Sequence, residues 1–224
     1  MTKPVKFTFE KQKFTKKTPQ KQFSLAVRYE RGIGVPKDIK EAVKHFKLAA
    51  DKGHDSSQFN LARYYAKGFG VEKNEILAAK YYKLAADQGH AKAQFNVAIC
   101  FANGVIAPKK PEIGSDKLQN LKDLPKAPGK AVKYYKLASD QGHAKAQFAL
   151  GRCYEEGNGV KRNTQEAVKY YELAATQKHD KAQFNLGRCY ENAIGVEKDI
   201  KKASTYYKLA ADQGHESAKE KING

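Results

Sequence analysis

The sequence predicts an all-α array of stacked helix pairs. Three observations carry that reading: a recurring string, two helical apolar stripes in each copy, and turn residues at fixed offsets between them. Gln58-Phe59-Asn60-Leu61 returns in edited form at Gln94, Gln147 and Gln183, with a fainter copy in Gln22-Phe23-Ser24-Leu25. Successive copies lie 36, 36, 53 and 36 residues apart, so one interval holds a repeat plus 17 extra residues. A period near 36 marks a small supersecondary unit that buries its apolar face against its neighbours. This frame gives a basic arm and the start of the first helix (1–21), then five repeats at 22–57, 58–93, 94–146, 147–182 and 183–218. The third repeat carries an insertion at about 105–128, and 219–224 form a C-terminal cap or tail.

In chain order, the arm carries seven lysines against Glu10 alone, and it is expected to be mobile or to lay Phe7, Phe9 and Phe14 on the first unit as a strap. Thr18 followed by Pro19 suits the start of a first helix, because proline tolerates the first helical position. Within each unit the first helix has an apolar stripe, as in Ala182, Leu186 and Tyr190 at i, i+4 and i+8, with Gly187 permitting close approach of another backbone. A Gly-x-Gly-Val loop ends it, and helix termination accounts for these glycines.

Asp38, Asn74, Asn163 and Asp199 are placed to cap the second helix, and Asp38…Glu41 and Asn163…Glu166 resemble capping boxes. Ala203, Tyr206, Tyr207, Ala210 and Ala211 show the second stripe, with small alanines opposite large tyrosines. Gly53, Gly89, Gly142 and Gly214 close that helix, and Lys178 stands in the fourth unit's slot. The insertion holds Pro108, Pro111, Pro125 and Pro128, and Ser115 could cap a short helix bearing Leu118, Leu121 and Leu124. It reads equally as a partner-contacting loop and as a tolerated surface excursion. Glu216 to Ile222 open a sixth first helix without its Phe, Leu and Tyr, a polar cap.

These residues resemble the Sel1-like repeat, a tetratricopeptide-like α-solenoid family. Leu150-Gly151-x-x-Tyr154-x-x-Gly157-x-Gly159-Val160 followed by Ala167-x-x-Tyr170-Tyr171-x-x-Ala174-Ala175 carries the likeness, and five units cover 22–218. His45-Phe46 replaces the tyrosine pair in the first unit, Ala193 replaces a loop glycine in the fifth, and the third loses its loop after Gly104. The resemblance implies a right-handed superhelix with first helices lining its concave side, serving as a non-enzymatic scaffold or adaptor. It brings no catalytic residues.

Composition narrows the function. Mean hydropathy is −0.74 and net charge +18, from 42 basic and 24 acidic residues, which favours acidic partners, anionic membranes or nucleic acid. No run of about 18 apolar residues exists to span a bilayer, and no secretory signal precedes the first unit, so a cytoplasmic monomer is expected. Cys100, Cys153 and Cys189 occupy one equivalent position, too far apart for disulfides between stacked units, and are expected to be reduced.

His54, His90, His143, His179 and His215 also share one position, a repeat apart, which excludes shared metal coordination and makes them inter-repeat turn residues. No metal, cofactor or catalytic constellation is called for. Lysines beside the tyrosine pairs (Lys44, Lys80, Lys133, Lys169 and Lys47, Lys83, Lys136, Lys208) invite a single-strand-binding reading, but the wheel turns tyrosines inward and lysines outward. The favoured surface is the exposed stripe of the first helices: Arg63, Lys67, Lys92, Asn96, Lys145, Arg152, Lys181, Asn185, Arg188 and Asn192, with Glu156 as the exception. Arginine's fork suits carboxylates, so the expected partner is an acidic peptide or protein surface. The alternative is non-specific binding of RNA or another polyanion.

Overall fold

The computed structural model of the chain describes residues 18–105 and 126–223. The basic arm before Thr18 and most of the insertion, including Pro108, Pro111, Ser115, Leu118, Leu121, Leu124 and Pro125, lie outside the described residues. Eleven helices and no strand occur among those described: α1 (Pro19–Arg31), α2 (Ile39–Ala50), α3 (Asp55–Lys67), α4 (Glu75–Asp87), α5 (Ala91–Asn103), α6 (Pro128–Asp140), α7 (Ala144–Glu156), α8 (Thr164–Thr176), α9 (Asp180–Glu191), α10 (Ile200–Ala211) and α11 (Glu216–Asn223). Each packs on the next in serial order, from α1 on α2 to α10 on α11, which is the contact pattern of an α-solenoid. Five helix pairs run from α1/α2 to α9/α10, and α11 closes the end with Ala218 fully buried.

Polar contacts set the helix starts. Thr18 Oγ1 accepts from the Lys21 amide, and Asp38, Asn74, Asn163 and Asp199 each accept from the amide three residues on, at 2.9–3.1 Å. The expected reciprocal half of the capping boxes is not made. The Asp38 and Asn163 amides donate instead to the carbonyls of Tyr29 and Tyr154, and Glu41 and Glu166 pair with Lys44 and Lys169. The backbone satisfies the cap amide, so the glutamate is left to pair with the lysine three residues on. Ala127 makes the same backbone bond to Phe101 (2.9 Å), so the chain re-enters the repeat geometry after the insertion.

Two aromatic layers hold each pair together. Tyr65–Tyr81, Tyr154–Tyr170 and Tyr190–Tyr206 stack nearly parallel at 5.6–5.9 Å, and Tyr29–His45 does the same in the first unit. The second tyrosine packs tilted on the phenylalanine of the recurring string, as in Phe59–Tyr82 at 5.8 Å and Phe148–Tyr171 at 5.9 Å. At Gly151 an added Cβ would sit 2.7 Å from the fully buried Tyr171 ring, so the helix needs glycine for that ring to fit.

The loop glycines do more than terminate helices, which corrects the sequence expectation. Gly157 caps α7 in the left-handed region (φ 73°), its amide bonding the Cys153 carbonyl. Gly159, also left-handed, approaches the preceding unit so closely that a Cβ would lie 2.4 Å from the Pro128 carbonyl carbon. The second glycine is therefore an inter-repeat packing residue. At Lys178 (φ 61°) and Ala193 (φ 56°) side chains occupy positions that glycine fills in other units.

Candidate functional site

The units are joined by the string's own glutamine. Gln58, Gln94, Gln147 and Gln183 are 3–4% exposed. Each donates to a carbonyl eight residues back at the end of the preceding unit's second helix. Each also accepts from a glutamine at the end of its own second helix, Gln88, Gln141, Gln177 or Gln213. A buried amide with both ends satisfied ties three helix ends together. The registered helices then present their outward stripes side by side.

The histidines act at the same joints. Nδ1 of His54, His90, His143 and His179 accepts the backbone amide three residues on, capping α3, α5, α7 and α9. Their rings stack on Phe23, Phe59, Phe95 and Phe148 of the preceding first helix (α1, α3, α5 and α7) at 4.6–4.9 Å, and His215 stacks on Phe184 of α9 at 4.5 Å. Burial lowers the pKa of His90, His143 and His179, which favours the neutral ring that a capping acceptor must be. Cys100, Cys153 and Cys189 are free thiols, and burial pushes them up to about 11, 11 and 12, far from thiolate reactivity.

Three hollows lie along the first helices. Arg63 and Lys67 share one of about 360 Å³ with Glu30, Ile39, Tyr64 and Phe69. Lys145, Arg152 and Lys181 share one of about 650 Å³ with half-buried Phe95, Ile99 and Phe148. Arg152, Asn185 and Arg188 meet Glu155, Glu156 and Arg162 in a shallower one of about 670 Å³. Exposed Lys92 and half-buried Asn96 lie on α5, and exposed Asn192 just past the end of α9, but they line none of these three. The Asn96 and Asn192 amides fold back onto the carbonyls of Lys92 and Arg188.

The three equivalent arginines are not equally available. Arg188 pairs with Glu155, whose other oxygen accepts the Tyr171 hydroxyl (2.6 Å). Arg152 pairs with Glu156 on its own helix, and that hydrogen bond strengthens its charged form. Arg63 makes no ion pair among the described residues; it bonds Asn60 Oδ1 (3.1 Å) and lies over the Phe59 ring. Sequence reasoning missed Glu155, although its signal was present: Glu30, Glu155 and Glu191 each stand eight residues after the repeat glutamine. Glu191 holds Tyr207 (2.7 Å) and Lys221 (2.9 Å), and these bonds, Lys221's foremost, lower its pKa while tying α11 to α9.

The family profile described as Sel1 repeat matches residues 22–54, 55–90, 91–114, 118–143, 144–179 and 180–215, the third and fourth segments together covering the 105–128 insertion except residues 115–117. A Sel1 repeat protein from Oxalobacter formigenes, of known crystal structure, is 32% identical over 93% of this chain and 76% of its own, with a TM-score of 0.78. The antigen c5321 of uropathogenic Escherichia coli, described as protective and displaying an SLR fold, is 28% identical with a TM-score of 0.79. That match covers 91% of this chain and 40% of the antigen. DAP3-binding cell death enhancer 1 of Rattus norvegicus is 54% identical over 37 residues, a stretch spanning 16% of this chain and only 7% of the rat protein.

Proposed function

The chain belongs to the Sel1 repeat family, whose members generally mediate protein–protein contacts as typically non-enzymatic scaffolds, and on that premise we propose that its first-helix face holds an acidic peptide or protein surface. The observation that carries this is the hollow between α5, α7 and α9. There Phe95, Ile99 and Phe148 offer apolar contact beside the cations Lys145, Arg152 and Lys181. An acidic segment with an apolar anchor suits both features, since cations supply steering and desolvated apolar contact supplies residence. Lys145 and Lys181 make no ion pair among the described residues and carry most of this role, whereas Arg152 must first leave Glu156. Stacking of nucleobases has little support, because Tyr82, Tyr135, Tyr171 and Tyr207 are buried against their own units.

The test is a fluorescence-polarisation titration with labelled acidic decapeptides carrying one Phe or Leu, at physiological salt. Saturable binding is expected, weakened at least tenfold by Lys145→Glu with Lys181→Glu while circular dichroism stays helical. Unchanged binding in that variant, or equal binding of a mixed-sequence RNA oligonucleotide, would sink the proposal. Arg188→Glu is a poor probe here, since it would set two carboxylates against each other at Glu155.

A further inference from the structure

The histidine joints are not all closed in the same way. At the first, Nδ1 of His54 accepts the Ser57 amide, which leaves the neutral ring's proton on Nε2. That nitrogen donates to Gln20 Oε1 (2.9 Å) on α1. Gln20 stands three residues before Phe23, on which the ring stacks. The same place before Phe59 holds Ser56, whose hydroxyl turns to Asp55, and before Phe95 and Phe148 it holds Lys92 and Lys145. A glutamine oxygen accepts from imidazole, whereas an ammonium only donates. His143 and His179 keep the cap, with Nδ1 accepting from the amides of Ala146 and Ala182, so their Nε2 carries the proton too. Among the described residues the one buried side-chain polar atom without a partner is His215 Nδ1, where the cap is not made. The Nε2–H groups of His143 and His179, which bond no described residue, therefore open to solvent.

Given the groove reading above, on which this rests, we infer that His179 Nε2–H and the Lys145 ammonium form the seat for a side-chain carboxylate of the acidic segment, one oxygen to each. His179, Lys145 and Lys181 line the same hollow of about 650 Å³. The ring is held on two sides, by its cap and by Phe148 at 4.8 Å, so the donor is fixed before a ligand arrives. Burial lowers the His179 pKa first; Asp180 opposes that, while Lys145 and Lys181 add to it, so both ammoniums act on this ring. The carboxylates already in the hollow do not fill the seat. Glu156 is paired with Arg152, and Asp180 comes within 4.0 Å of Nδ1 rather than Nε2. Neither lysine makes an ion pair among the described residues. A carboxylate accepts at both oxygens, and a bond to a charged donor is the stronger kind. Lys92 and His143 repeat the pairing one unit earlier, whereas Gln20 closes the joint at His54.

The experiment follows the imidazole nitrogen NMR signals of the full chain while an acidic decapeptide carrying one Phe is added. His179→Asn and His54→Asn, which keep a capping oxygen, assign the two signals. The Nε2 signal of His179 is expected to move on binding and that of His54 to stay. Two exposed substitutions then separate hydrogen bond from charge in polarisation titrations with the same peptide. Lys145→Gln removes the charge and offers His179 the acceptor that Gln20 offers His54. Lys145→Met removes the charge and offers none. The glutamine variant should bind about threefold more weakly than the methionine variant, the worth of one hydrogen bond. Peptide binding with an unmoved His179 signal, or with equal losses in the two variants, overturns the seat and leaves the groove reading standing. Equal movement of the His54 signal also overturns it. Failure of the unaltered chain to bind the peptide overturns the groove reading and the seat together.

Discussion

Arg63 and Arg188 occupy the same position in the second and fifth units, yet one makes no ion pair among the described residues and the other is held by Glu155. Both follow a unit carrying a glutamate at the equivalent place, Glu30 and Glu155. The difference is who reaches that glutamate first. In the fourth unit the Tyr171 hydroxyl takes one oxygen and leaves the other for Arg188. In the first unit the corresponding ring is Phe46, which has no hydroxyl, and Glu30 is taken by Tyr64 (2.7 Å) from α3, the first helix of the next unit, where the fifth unit has Cys189. Arg152 follows a unit with Ala102 at the glutamate's place and turns to Glu156 on its own helix. Identical frames thus produce different free charge, decided by competition for one carboxylate.

Removing the carboxylates breaks this comparison most sharply. Glu155→Ala should cost about 2–3 kcal/mol in urea unfolding, because a largely buried group loses charge-assisted bonds to both Tyr171 and Arg188. Glu156→Ala, on an exposed pair, should cost less than about 1 kcal/mol and release Arg152 to bind the acidic probe more tightly. Equal costs at the two sites would refute the distinction.

Gly151→Ala tests whether the Tyr171 node depends on close approach. The methyl should destabilise by about 1–2 kcal/mol through overpacking, despite a helix-propensity gain of about 0.5–1 kcal/mol. A variant as stable as the parent in thermal melts would mean the ring has room to move.

The histidine caps recur at the starts of α3, α5, α7 and α9. The folded pKa values of His90, His143 and His179 are lowered, while the unfolded value is about 6.5. Between the two the unfolded chain binds more protons, so stability is complete above about pH 6.5 and falls as pH drops through the folded values. Urea midpoints at pH 7.5 and 5.5 should differ in that direction. His143→Asn, which keeps a capping oxygen, should shrink the difference; an unchanged difference would remove His143 from the account.

The smallest effect is expected at Lys178. Its left-handed backbone suits glycine, so Lys178→Gly should raise stability by about 0.5–1 kcal/mol, with part of the relieved strain offset by entropy of the unfolded chain. A loss in calorimetry would show that the lysine side chain contributes more than its strained backbone costs.

The fold was legible because its signals are local. Thr18, Asp38, Asn74, Asn163 and Asp199 cap as their side chains allow, and the tyrosine–alanine stripe of α10 buries as its period requires. The echo starts three residues inside each first helix, as at Gln58 in a helix beginning at Asp55, because its anchor is the buried glutamine clasp rather than the helix start. The candidate surface was legible only as a stripe. That Lys145 and Lys181 flank an apolar hollow while Arg188 is spent on Glu155 could not be read from periodicity.

The sequence alone determined the period, the helix pairs, the threonine, aspartate and asparagine caps and which stripe turns inward, since these follow from spacing along one chain and from backbone groups within a turn of each other. Tertiary structure decided which histidine ring lies on which phenylalanine, why Gly159 must be glycine, and which arginine keeps a free charge. Those outcomes depend on partners in the adjoining unit, such as Glu155 and Arg188. Hydrogen bonds and ring contacts are won or lost over a few tenths of an ångström, and only the packed array places the competitors.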